Sequence, residues 1–150
     1  MDEVILRGLV ALTLLIAGFA IFRMWTLRHR RHASFVAQRD PLLERVPPGV
    51  PAIVYFTTPT CIACRSAQTP ALRQLQSELG DGIHVITVDA VDQPDAASRW
   101  GVLTAPTTFV LDPNHQTVAI NHGTADSALL KRQYHAAVEA ASSFRLRSSS

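Results

Sequence analysis

Between residues 8 and 22 the chain runs fifteen positions without a charged side chain. Val4-Ile5-Leu6 extend this apolar stretch before Arg7, and Met24-Trp25-Thr26-Leu27 extend it after Arg23. Arginines near the ends of a span place their heads at the interface, so about 20 residues are usable, the length that crosses a bilayer. A helix apolar on every side is hard to place in a small soluble core, and Trp25 falls where an interfacial aromatic would sit. Residues 1–32 are therefore expected to form an N-terminal transmembrane anchor with a basic juxtamembrane stretch, meeting membrane lipid through residues 4–27. A cleavable signal peptide is the competing reading, with Gly18-Phe19-Ala20 as its small-residue site, but Asp2 and Glu3 are acidic where such a peptide is basic.

The anchor also explains the net charge of +2. Five arginines against Asp2 and Glu3 give residues 1–32 a charge of +3, while the other 118 residues carry nine basic and ten acidic side chains, or −1. The positive excess belongs to the juxtamembrane segment, and no aromatic-interleaved basic face exists elsewhere, so nucleic acid is not an expected partner. Four arginines follow the span and one, Arg7, stands at its start. The positive-inside rule then puts a single-pass chain with its C-terminal domain on the cytoplasmic face; the exported face is the alternative.

The remaining residues suffice for one domain, and with 47% apolar and 17% charged residues the chain is not disordered in bulk. Residues 33–50 read as a linker in which Asp40-Pro41 starts one short helix and Pro47-Pro48-Gly49 ends it. Residues 51–143 read as the folded domain and 144–150 as a disordered tail. Within the domain, residues 52–56 are an apolar, β-forming run suited to a strand covered on both faces. A helix over 61–79 follows, kinked at Pro70, which has no amide hydrogen. Strands are expected at 83–88, 107–111 and 117–120, with a short helix at 95–100. Asp112-Pro113-Asn114-His115 suits the turn of a hairpin, and Thr124 or Asp126 suits the cap of a last helix. The order β, α, β, α, β, β, α makes an α/β sandwich with a parallel crossover and a final antiparallel hairpin.

Both cysteines of the chain lie in Cys61-Ile62-Ala63-Cys64, between the apolar strand and the helix after it. At a helix N-terminus, unpaired amides and the helix dipole favour the thiolate of Cys61, and such settings bring a thiol from about 8.5 to roughly 3.5–7.5. Cys64, one turn later, is the less exposed partner. Thiol–disulfide exchange needs this pairing: Cys61 attacks a disulfide and Cys64 resolves the mixed disulfide. Arg65 adds positive charge nearby. Two inert thiols are the plain alternative, and a metal site the weaker one, because His84, His115, His122 and His135 show no ligand spacing with one another.

Over residues 52–141 the sequence resembles the thioredoxin superfamily. The resemblance rests on the strand at 52–56, the C-x-x-C followed by a basic residue, Pro70, Trp100-Gly101-Val102-Leu103-Thr104-Ala105-Pro106-Thr107, and Gly123 after the hairpin. The Ala-Pro-Thr that opens a strand forty-two residues after Cys64 makes the match fairly specific. The resemblance implies a thioredoxin-like fold, a central mixed sheet flanked by helices, preceded here by the transmembrane helix. It implies a cis bond before Pro106 beside the cysteines, with the backbone of Ala105 pairing to a substrate chain and Thr60, Ala105, Pro106 and Thr107 shaping the groove. It further implies a protein-disulfide oxidoreductase whose only redox group is a Cys61–Cys64 disulfide, with no cofactor or metal. Its partners would be protein thiols or disulfides and a separate reductase or electron donor.

The chain departs from thioredoxin at named places. Thr60 replaces an aromatic residue before the first cysteine, and Ile62-Ala63 replaces Gly-Pro. Tyr55 stands where thioredoxin has a buried aspartate and Thr87 where it has a buried lysine. Pro70 lies one residue further from Cys64 than usual. A redox-sensing or partner-binding module without turnover is the alternative that these changes leave open.

Overall fold

β-Branched and aromatic residues dominate the run Ala-Ile-Val-Tyr-Phe-Thr, and it forms β1 (Ala52–Thr57), an inner strand of the sheet. The computed structural model describes residues 2–37 and 40–148. The remaining elements are α1 (Asp2–Ala37), a 3-10 turn (Pro41–Leu43), a π-helical turn (Cys64–Gln68), α2 (Thr69–Leu79), a second 3-10 turn (Gly80–Gly82), β2 (His84–Asp89), α3 (Pro94–Arg99), β3 (Thr107–Leu111), β4 (Thr117–His122) and α4 (Ser127–Ser148). The strands lie in the order β2-β1-β3-β4. β1 runs parallel to β2 and antiparallel to β3, and β3 and β4 form the hairpin. The expected crossover and hairpin are both present.

Side chains alternate across a strand, so β1 feeds two core layers. Ala52, Val54 and Phe56 enter one layer with Trp100, Phe109 and Leu111. Ile53 and Tyr55 enter the other with Cys64, Leu72, Leu75 and Leu130. Trp100 closes the first layer, its ring 4.9 Å from Phe109 and 6.0 Å from Phe56. The hairpin turn is held by Asp112, whose carboxylate accepts the amides of Asn114 and Gln116. Asp126 caps α4 by accepting the amide of Leu129 at 2.7 Å.

Three expectations are corrected. The segment 33–50, expected as a linker, packs onto the domain: α1 continues to Ala37, and Ala33, Ala37, Leu43 and Val46 are buried in the first core layer. The Ser34 hydroxyl oxygen accepts the amide of Thr117, the first residue of β4, at 2.8 Å. Alanines at this spacing let a helix approach the sheet closely, which a scan for large apolar residues does not register. Second, the helix expected over 61–79 is not a single α-helix. The helical stretch from Ile62 passes through the π turn, in which the Thr69 amide donates to the Cys64 carbonyl, and Pro70 then enters α2 in its first turn. Pro70 has no amide to donate back along that stretch. The extra residue between Cys64 and Pro70 is thus taken up as one wide turn. Third, α4 extends through Ser148, so residues 144–148 are helical; residues 149 and 150 lie outside the described residues.

From Arg7 onward α1 is long and apolar enough to cross a membrane, a test that a signal sequence also passes. None of its most apolar window is buried against the domain.

Candidate active site

The parallel β1–β2 pair directs the end of β1 into the loop that carries Cys61, and the following helical turns carry Cys64. Cys61 and Cys64 are joined in a disulfide. Cys64 is completely buried, whereas Cys61 is partly exposed. The backbone amide of Cys64 donates to the Cys61 sulfur at 3.1 Å. A sulfur that already accepts an amide at the start of a helix is the one on which negative charge is best supported when the bond opens. Among the described residues no group of three His, Cys, Asp or Glu side chains stands close enough to hold a metal ion.

Tyr55 lies under this turn, buried in the same layer as Cys64, and its hydroxyl meets that of Thr69 at 3.4 Å. Arg65 is exposed and folds back over the loop, one guanidinium nitrogen donating to the Pro59 carbonyl at 2.7 Å. It braces the loop before Cys61 and leaves a positive charge at its rim. Thr60 is exposed on the same loop.

The bond between Ala105 and Pro106 is cis, as the resemblance implies. Ala105 and Cys61 both pack against the buried layer that holds Cys64, so segments far apart in sequence share one core layer. Thr107 is different from what was expected of it: it is completely buried, and its hydroxyl donates to the Thr104 carbonyl at 2.7 Å. It fixes the bend before β3 and offers no side chain to a groove. The open wall beside Ala105 comes instead from Thr58, Val102, Leu103 and Thr104, which line part of a cleft of about 420 Å³ with no charged side chain in its lining. Leu103 is 93% exposed and Ile62, between the cysteines, 72%. The sequence signal for these residues was present, since both are apolar side chains in segments bounded by the motif residues. Gln68 gave no such signal, because a polar residue four places after Cys64 reads as helix surface, yet it is completely buried.

Comparison with known proteins agrees with this geometry. The family model described as Thioredoxin matches residues 37–136. The thioredoxin of Bacillus subtilis is 32% identical over 56 residues, 37% of this chain and 53% of that protein. Thioredoxin 1 of Synechococcus elongatus is 27% identical over 62 residues, 41% of this chain and 57% of that protein. The chain thus spans just over half the length of the curated relatives it matches. Among solved structures, thioredoxin-2 of a malaria parasite superposes with a TM-score of 0.51 at 26% identity, covering 55% of this chain and 82% of that one. Together the family domain and the disulfide support thiol–disulfide oxidoreductase chemistry in general. The match over residues 37–136, together with the Cys61–Cys64 disulfide and the cis bond before Pro106, places this chain in the thioredoxin family.

Proposed function

We propose that the protein is a membrane-anchored thiol–disulfide oxidoreductase that reduces or exchanges disulfides in other proteins, with Cys61 as nucleophile and Cys64 as resolving thiol. The observation that carries this reading is the asymmetry of the pair: Cys61 is reachable from solvent and accepts the Cys64 amide, while Cys64 is sealed in the core. A partner disulfide meets the exposed sulfur, which attacks it; the buried sulfur then displaces the partner. Ala105, held by the buried Pro106 after it, offers the edge along which the partner chain lies, and the uncharged cleft beside Leu103 receives the apolar residues that flank its cysteine.

Residues 4–27 hold the chain in a single pass. The arginines after the span favour a domain on the cytoplasmic face, where a poise of about −220 to −320 mV makes it a reductant that needs an electron donor. On the exported face the same chemistry would serve as oxidant or electron carrier.

The test uses the full chain in detergent, with insulin as the protein disulfide and dithiothreitol as the source of electrons. Turnover that is lost in Cys61→Ser supports the reading. Turnover that survives in Cys61→Ser overturns it, and leaves the redox-sensing or partner-binding module as the function of this fold.

A further inference from the structure

A buried side-chain amide is costly unless its donor and acceptor are both paired. Gln68 closes the π turn that begins at Cys64, and it lies completely inside the domain. Its Nε2 donates to the Ala125 carbonyl at 3.2 Å, and its Oε1 accepts the Ala125 amide at 2.7 Å. One side chain thus pairs with both backbone groups of a single residue, as a neighbouring strand would. Two residues before Ala125, the amide of Gly123 donates to the Pro106 carbonyl at 2.8 Å. Residues 123–125 therefore grip the turn that carries Cys64 at one end and the Ala105–Pro106 edge at the other.

We propose that Gln68 is a positioning residue for disulfide exchange, one that holds Cys64 in line with Cys61 and the Pro106 edge once the disulfide has opened. The proposal rests on the exchange reading above. In the oxidised protein the S–S bond itself ties the two cysteines together. When it is reduced, that tie is gone, and the turn that follows is weakly braced: it is one residue wider than an α-turn, and Pro70 brings no amide to it. The clamp on Ala125 supplies from the side what the backbone lacks.

The two steps of exchange make different demands on this clamp. In the first, the Cys61 thiolate forms a bond to one partner sulfur, and the other partner sulfur leaves as a thiolate that takes a proton from water. In the second, Cys64 gives up its proton and its sulfur attacks the Cys61 sulfur. The Cys61–Cys64 bond forms, the partner's second sulfur leaves and is protonated, and two electrons have passed from the cysteine pair to the partner. Each step aligns three sulfurs, but only in the second is one of them, that of Cys64, on the clamped turn.

The experiment follows the reduced full chain, in detergent, after mixing with oxidised glutathione, with acid quenching and intact-mass analysis to separate the mixed disulfide from the closed pair. Gln68→Ala is expected to form the mixed disulfide within about twofold of the wild-type rate and to resolve it about tenfold more slowly. In Gln68→Glu the ionised carboxylate faces the Ala125 carbonyl, so resolution relative to wild type is slow near pH 8. It recovers toward about pH 5, where burial favours the protonated acid that can again donate. Equal slowing of both steps, or resolution at the wild-type rate in a folded Gln68→Ala, overturns the proposal. If Gln68→Ala does not fold, a pH-independent ratio in Gln68→Glu overturns it and a recovering ratio supports it. A wild-type chain that forms no adduct at all overturns the exchange reading itself, and this assignment with it.

Discussion

The carboxylate of Asp40 accepts the indole N–H of Trp100 at 3.1 Å, which joins the segment just after α1 to the aromatic layer beneath β1. The same carboxylate accepts the Arg99 Nε at 2.9 Å and the Leu42 amide at 3.0 Å. A residue expected only to start a short helix is thus a three-way tie between the incoming chain, α3 and the core. Asp40→Ala leaves the buried Trp100 N–H without its acceptor and is expected to cost about 1–3 kcal/mol. Urea unfolding of the full chain in detergent checks this, and an unchanged midpoint would show that the tie is idle.

The tie also sets an acid dependence. Burial by itself would raise the Asp40 carboxyl, but the hydrogen bonds from Arg99, Leu42 and Trp100, with the charge of Arg99, outweigh it and hold it below its ordinary value. A carboxyl whose folded value is lowered contributes its stability above its unfolded value, about 3.9, and loses it as the pH falls through the lower folded value. Stability should therefore decline below about pH 4, and Asp40→Asn should flatten that decline. Matching acid profiles for wild type and Asp40→Asn would contradict the assignment.

Docking of α1 on the sheet is testable in the same way. Ala37 is 1% exposed within the core layer, so the larger side chain of Ala37→Leu should destabilise the domain by about 1–3 kcal/mol through overpacking. Ser34→Ala removes the acceptor for the Thr117 amide and should cost about 1 kcal/mol. A linker that does not pack on the sheet would tolerate both changes, and unaltered unfolding of the two variants would contradict the docking.

Gly123 holds φ +94°, a backbone conformation that side chains avoid, while its amide fixes the Pro106 carbonyl. Gly123→Ala meets no neighbouring atom, so its cost is backbone strain alone, about 1–3 kcal/mol. Because the strain falls on the segment that holds Pro106, insulin reduction should slow as well. A stable variant with full activity would disconnect this segment from the site.

What the sequence made legible follows from how each element is stabilised. β3 was read at its observed bounds, because Thr-Thr-Phe-Val-Leu is a buried β-forming run stopped by the Asp112 turn. The cysteine pair was readable because its chemistry depends on spacing and on its place before a helix. Ala33 and Ala37 were hidden because small residues in a stretch rich in arginine and histidine leave no apolar stripe, and their burial is decided by a sheet formed from distant segments. Gln68 and Asp40 were hidden for a related reason: each is a polar group whose partners, Ala125 and Trp100, lie 57 and 60 residues away. Thr107 was misplaced because a residue beside the Pro106 edge can face the groove or the core, and only the bond to Thr104 decides which.

The central claim is that Cys61 attacks and Cys64 resolves. Its most direct measurement is a non-reducing gel and intact-mass analysis of the reduced full-length Cys64→Ser and Cys61→Ser variants after each is mixed with insulin in detergent. Cys64→Ser is expected to accumulate a covalent adduct through Cys61 that dithiothreitol releases, while Cys61→Ser, left only with the buried sulfur, forms little or none. An adduct that forms equally through Cys64, or fails to form in Cys64→Ser, would contradict it.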